Sequence, residues 1–184
     1  QMDQQIRRFQ RFYKVLSPWE WGVLCALLVC YFMNSATTVL GGDNGEFLTV
    51  GISGGVPHPS GYPAYVLYLQ AMSWFPGSNP VHVMSLATAL LGVASAFFLG
   101  CVLQLLNITL VPRIFSLVLY GFSGLVVQMN THAEVFALNN LLAVIIIWLS
   151  VCSRFKGGKR VFLLSIVGGA GLSNHLSIVL LAPI

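Results

Sequence analysis

Charge is what this sequence has least of. Asp, Glu, Lys and Arg make up only 8% of its 184 residues, against 57% hydrophobic ones. A soluble domain carries roughly 25% charged residues, so a chain this apolar cannot cover itself with polar surface, and an integral membrane protein is expected. Cysteine is sparse too. Cys25, Cys30, Cys101 and Cys152 all sit in apolar stretches without metal-ligand spacing, which argues against a disulfide framework or zinc site and leaves small core or membrane-facing residues. A cleavable signal peptide is not expected, because the first apolar run is long and no small-residue cleavage site follows it. Nucleotide and hydrolase signatures are missing as well. Gly41-Gly42-Asp43-Asn44-Gly45 lacks the Lys-Ser/Thr of a P-loop, and neither a serine-hydrolase elbow nor HExxH occurs. The chain starts at Gln1 and stops inside the apolar Ala182-Pro183-Ile184. It is therefore read as a single transmembrane domain, 1–184, forming the N-terminal part of a longer protein.

What is present is a series of apolar runs punctuated by bases. A spanning helix needs about 20 mostly apolar residues. Trp19–Leu40, Val81–Leu106, Pro112–Met129, Val135–Cys152 and Val161–Ile184 qualify or nearly do, predicting an all-α polytopic transmembrane bundle. Val81–Leu106 is rich in Ala, Gly and Ser, which suits close helix packing in lipid. Tyr62–Phe75 is apolar but too short to cross. Placing it as an interfacial helix in an outer loop, Gly41–Pro80, puts the bases of Arg7–Lys14, Arg113 and Arg154–Arg160 on one, cytoplasmic, side with the N-terminus. Tyr62, Tyr65, Tyr68 and Trp74 suit headgroup depth. The sequon Asn107-Ile108-Thr109 then falls on the cytoplasmic side. No transporter-type internal repeat is visible, and nothing resembles a basic nucleic-acid-binding face, so no nucleic acid partner is expected.

The chain has five acids. Asp3 and Glu20 belong to the cytoplasmic end and have a bland explanation; Asp43, Glu46 and Glu134 all fall on the opposite side. Ionisable groups near a membrane core cost about 2.5–3.5 kcal/mol at mid-helix by insertion scales, so three retained carboxylates on one side point to use. Structural roles compete with that reading. Asp43 and Glu46 match an acidic capping box, with Glu46 reaching back to the helix start, and Glu134 suits a helix N-terminus. A helix starting at Asp43 would also aim its free amides into the loop, where a phosphate can bind. His58 stands in Val56-Pro57-His58-Pro59-Ser60-Gly61-Tyr62-Pro63, a rigid loop fit to present a polar contact to a phosphate oxygen, or simply a solvated histidine. Asn174-His175 lies within an apolar helix, where polar side chains are paired between helices or functional. His82 and His132 are interfacial and say less.

Gly41-Gly42-Asp43-Asn44-Gly45-Glu46-Phe47 and Val56–Pro63 together resemble the "PGDSGE…HPPGYP" signature of a family of multi-spanning membrane proteins that includes a eukaryotic protein O-mannosyltransferase. Thr131-His132-Ala133-Glu134-Val135-Phe136-Ala137-Leu138-Asn139-Asn140 is similar to its "AEVFSLNN" segment, and Gly171-Leu172-Ser173-Asn174-His175 to its "GLSxxNxH" helix. The sequence departs from the signature at Gly41, Asn44 and Ser60. The resemblance implies the N-terminal part of a GT-C-like glycosyltransferase with interfacial helices in the first outer loop. It implies an acidic catalytic residue in the Asp43/Glu46 region, with Asp43 ahead of Glu46 as the base, and a second acidic position at Glu134; beside these, His58, Tyr62, Glu134, Asn174 and His175 are the substrate-binding candidates. It further implies a mannose-like sugar donated from a polyprenyl-phosphate carrier to a hydroxyl of a protein or glycan acceptor, with inversion. No cofactor is required by that scheme. A divalent metal among the three carboxylates and His58 is conceivable but not indicated by spacing. Expected partners are membrane lipid, the lipid-linked donor, the acceptor and a larger membrane complex. The expected membrane is the bacterial inner membrane or the endoplasmic reticulum. Two other classes stay open: a transporter component, against which the acids cluster at one interface, and a non-catalytic structural subunit.

Overall fold

The computed structural model describes residues 16–77 and 79–182. The basic cluster Arg7–Lys14, Asp3 and the last residues up to Ile184 lie outside them. Helices make up nearly all the regular structure, and no strand occurs among the described residues. In chain order they are α1 (Pro18–Asn34), α2 (Asn44–Ser53), α3 (Pro63–Ser73), α4 (Pro80–Leu105), α5 (Leu110–Phe122), α6 (Gly124–Thr131), α7 (Val135–Val151) and α8 (Gly157–Asn174), followed by a 3₁₀ turn at Leu176–Leu181. The long α4 is the hub, with α7, α1, α5, α6 and α3 against it.

Local chemistry sets the starts. Ser17 and Glu20 form a capping box at α1, with Pro18 in the first turn, where proline's missing N–H is no loss. Asn79 caps α4 by accepting from the His82 amide at 3.3 Å, again with a proline following. The small residues of α4 do what their composition predicts. A Cβ on Gly92 would lie 2.3 Å from Asn130 Cγ, and one on Gly121 in α5 would lie 2.5 Å from the Leu27 methyls. A neighbouring side chain, Asn130 or Leu27, seats against each glycine because nothing protrudes there.

Several expected spans are shorter or broken. Trp19–Leu40 is helical only to Asn34, since Ser35 turns extended and its hydroxyl bonds back to the Tyr31 carbonyl. Pro112–Met129 is not one rod: α5 and α6 meet at Ser123 with a bend of 58°. Val161–Ile184 ends as an α-helix at Asn174, because His175 adopts an extended backbone. Among the described residues one helix, α4, is long and apolar enough to cross a membrane, or two if the bent pair is one span. The loop holds two helices, α2, starting where the Asp43–Glu46 pattern places a helix start, and α3, within the Tyr62–Phe75 segment. Tyr65 and Tyr68 pack against α4 instead of projecting outward. The Tyr68 hydroxyl donates to the Ala87 carbonyl at 2.7 Å. Thr88 donates to Met84, so Tyr65, fully buried, donates to Thr88 at 2.9 Å. Hydroxyl partners on α4 pull both rings inward, and Trp74 alone of the four is strongly exposed.

One end of the bundle is closed by a buried ion pair. Glu20 is fully buried and faces Arg113 at the start of α5, with Nε to Oε1 and Nη2 to Oε2 both at 3.0 Å. An aromatic layer from Trp21 through Phe97, Phe98 and Trp148 to Phe155 crosses the same end. Arg113 and the Arg154–Arg160 segment thus share the end where α1 begins. Glu20 has a structural task the sequence reading missed, although Ser17-Pro18-Trp19-Glu20 is a legible capping box. Removing one partner of a buried pair costs about 3–5 kcal/mol, whereas apolar replacement of both is often neutral. Arg113→Met is therefore expected to lower the melting temperature of the detergent-solubilised protein sharply, and Glu20→Met/Arg113→Met to recover most of the loss. Equal melting of the single and double variants would contradict this.

Candidate functional site at the loop end of the bundle

The opposite end carries the loop of residues 35–79, pinned to the bundle by polar side chains and main chain. The Ala36 amide donates to the Thr131 carbonyl at 2.7 Å, and Asn79 Nδ2 to the Thr37 carbonyl at 2.7 Å. His82 Nδ1 lies 3.3 Å from the Ala36 carbonyl. Asn44, fully buried, accepts from the Leu40 amide at 2.9 Å and donates to the Ala133 carbonyl at 3.2 Å. Below it, Phe47 and Leu48 of α2, Tyr65 and Leu69 of α3, Met84 of α4 and Ala133 and Val135 form one buried cluster. Burial of such side chains is worth about 1.5–3 kcal/mol each, which seats α2 and α3 on the bundle.

Asp43 is the residue before α2, yet neither it nor Glu46 forms the expected capping box: Asp43 has a helical backbone and makes no side-chain cap bond. Glu46 is turned to His58 instead. Its Oε1 accepts from the His58 amide at 2.7 Å and its Oε2 from His58 Nδ1 at 2.6 Å. Two bonds from one rigid residue outcompete a return to its own helix end. His58 Nε2 then faces the Tyr62 hydroxyl at 3.0 Å and Asp43 Oδ2 at 3.8 Å. Tyr62 is held in the left-handed region, φ 43°, a conformation costly for a residue with a Cβ and found where structure around it is over-determined. Its ring stacks on His175 at 6.0 Å and 19°. Phe136 packs on the other flank of His175 at 5.4 Å.

The fold therefore brings Asp43, Glu46, His58, Tyr62 and His175 into one connected group. Glu134, before α7, is half-buried; burial, and then the Asp43 charge, push its carboxyl above the ordinary carboxylate range. Asn174 is fully buried and donates to the Val135 carbonyl at 3.3 Å, tying α8 to the start of α7. Asp43, Glu46 and His58 each offer one ligand atom within 4.8 Å of the others, an oxygen-rich set suited to a hard divalent cation. Sequence reading missed Asn44, Phe47, Phe136 and the Ser177–Asn139 hydrogen bond of 3.3 Å beside His175. Asn44 and Asn139 stood inside recognisable motifs, but only the fold shows what their amides reach.

The Glu46 bond raises the His58 pKa above its ordinary 6.5, and the same bond lowers that of Glu46 below 4.5. A raised histidine contributes fully below 6.5 and loses its contribution as pH rises through the folded value; a lowered carboxylate contributes fully above 4.5 and loses it as pH falls through its own. The loop is thus held most firmly between pH 4.5 and 6.5. Limited proteolysis across residues 54–62 should be slowest in that window and accelerate on both sides, and Glu46→Gln should flatten the profile. An unchanged profile in the variant would refute the assignment.

The family described as "Protein O-mannosyl-transferase TMEM260 N-terminal domain" matches residues 43–184. The Mus musculus Protein O-mannosyl-transferase TMEM260 is 30% identical over 178 residues, covering 89% of this chain and 25% of the relative. The Dictyostelium discoideum Protein O-mannosyl-transferase tmem260 is 26% identical over 170 residues, covering 83% of this chain and 21% of the relative. The chain thus spans a quarter or less of the length of these curated relatives. No solved structure matches it. Since the match takes in the acidic loop, the Glu134 segment and the Asn174-His175 segment, the chain belongs to the TMEM260 N-terminal domain family.

Proposed function

We propose that this chain is the catalytic N-terminal part of a membrane-embedded protein O-mannosyltransferase of GT-C type, taking mannose from a polyprenyl-phosphate donor. The observation that carries this reading is the gathering of Asp43, Glu46, His58, Tyr62 and His175 at one end of an apolar bundle, in a chain whose relatives are named for that transfer. Exposed Trp19, Met33, Val111, Phe115, Leu119, Phe162 and Ile166 support a polytopic bundle in lipid, since soluble surfaces rarely hold apolar patches of that extent. Basic residues at one end and carboxylates at the other support an outer or lumenal site by the positive-inside bias.

The step is an inverting displacement at the anomeric carbon. The acceptor hydroxyl oxygen forms a bond to C1 while the bond from C1 to the phosphate oxygen breaks, and the leaving polyprenyl phosphate keeps the electron pair. Asp43 takes the hydroxyl proton. It is favoured over Glu46 because both Glu46 oxygens already accept from His58, whereas Asp43 is more than half exposed. Glu46 instead holds the His58 ring, and with Tyr62 that ring contacts the donor. Glu134 positions acceptor or sugar, and Asn174 acts by fixing α8 against α7. Because the phosphate is a good leaving group, no strong acid is needed. If a divalent cation serves the site, Asp43, Glu46 and His58 are its holders, and it would supply charge stabilisation.

General-base help is worth about 10²–10⁴-fold. With the full-length protein in detergent and a polyprenyl-phosphate-mannose donor, Asp43→Asn is expected to lower transfer by that factor while melting as wild type, and Glu46→Gln to lower it less. Wild-type protein that neither transfers nor binds donor would overturn the enzyme in favour of a structural subunit.

A further inference from the structure

His58 is accounted for by Glu46, Tyr62 and Asp43, but His175 has a different kind of support. α8 ends at Asn174, and His175 turns extended to cap the following 3₁₀ turn. The Ser177 amide donates to His175 Nδ1 at 3.2 Å, and the Ser177 hydroxyl lies 2.9 Å from the same nitrogen. A ring nitrogen that accepts a main-chain N–H holds no proton of its own, so in the neutral ring the proton sits on Nε2. That Nε2–H has no acceptor among the described residues. The ring is half-buried, stacked on Tyr62 and flanked by Phe136, which orient it. The donor is absent from the buried unpartnered atoms, so it opens to solvent with a direction fixed by the ring and stays available to a ligand.

The arrangement around it is ordered. His58, with Asp43 and Glu46 beside it, meets the Tyr62 ring in a T-shaped contact, centroids 5.1 Å apart. His175 stacks against the same ring, and its side chain meets Tyr62, Phe136 and Ser177, with no carboxylate paired to it among the described residues. An inverting displacement needs the base and the leaving group on opposite sides of the reacting carbon. An anion, repelled by the carboxylates, is best placed at the His175 end, where a charged acceptor strengthens the hydrogen bond about twofold over a neutral one.

We propose that His175 binds the donor's phosphodiester, its Nε2–H, directed by the Ser177 amide and the Tyr62 stack, donating to a non-bridging phosphate oxygen. The proposal rests on the lipid-phosphate donor put forward under Proposed function. It makes Tyr62 the divider between a base side and a leaving-group side.

The test is calorimetric titration of the full-length protein in detergent with a short-chain polyprenyl phosphate and, separately, inorganic phosphate. His175→Asn keeps an acceptor for the Ser177 amide but no outward donor, and Asn is a good cap. Its affinity for polyprenyl phosphate should fall about tenfold, the weight of one hydrogen bond to a charged group, with melting unchanged. His175→Gln keeps an outward donor and loses the cap, and should retain most of the binding. Wild-type affinity in the Asn variant, or lost binding in Gln alone, overturns the proposal. Inorganic phosphate binding as tightly as the lipid overturns the lipid-linked donor as occupant. Should the Asn variant bind as wild type while Asp43→Asn still abolishes transfer, His175 is excluded and the enzyme stands; no transfer and no binding in wild type removes both.

Discussion

Glu46 accepts from both the amide and the ring of His58, and this double bond closes the chain between α2 and the proline-rich turn. Much else at the loop end follows from it. With the main chain of His58 fixed, the ring can point only toward Tyr62 and Asp43. Tyr62 is in turn pressed into a left-handed backbone at the entry to α3, its ring turned to His175. One carboxylate thereby connects residues from three separate segments.

Such a network needs a floor that does not move. Phe47, Tyr65, Leu69 and Met84 supply it by burial, and Asn44 and Asn79 supply it by capturing main-chain groups that a loop would otherwise leave to water. The two contributions differ in kind. Apolar burial holds α2 and α3 against α4 without fixing their register, while hydrogen bonds to particular carbonyls fix register but add only about 1 kcal/mol each.

The two ends of the bundle use charge differently. At the basic end, Glu20 and Arg113 neutralise one another within the packing of α1 and α5. At the loop end, Asp43 remains exposed and Glu134 half-buried, and among the described residues His58 pairs with Asp43 and Glu46. A closed, compensated pair joins two helices; an open, undercompensated group leaves lone pairs accessible to solvent, as the proposed function requires. That contrast separates structural from functional charge more cleanly than a count of acids does.

The helical class, the apolar runs and the sidedness of the acids were legible in the sequence, because each depends on composition and on spacing along the chain. The cap at Ser17 and Glu20 and the prolines opening α3 and α4 were legible for the same reason. Other features required three-dimensional proximity. Asp43 and Glu46 carry the pattern of a capping box, and nothing local says that His58, twelve residues on, binds Glu46 more strongly. Nor does hydropathy reveal that Ser123 bends one apolar run and that His175 ends another. Which carboxylate is engaged, which stays free and which way His175 points were decided only by tertiary structure, since a hydrogen bond belongs to the partner that arrives with the right distance and direction.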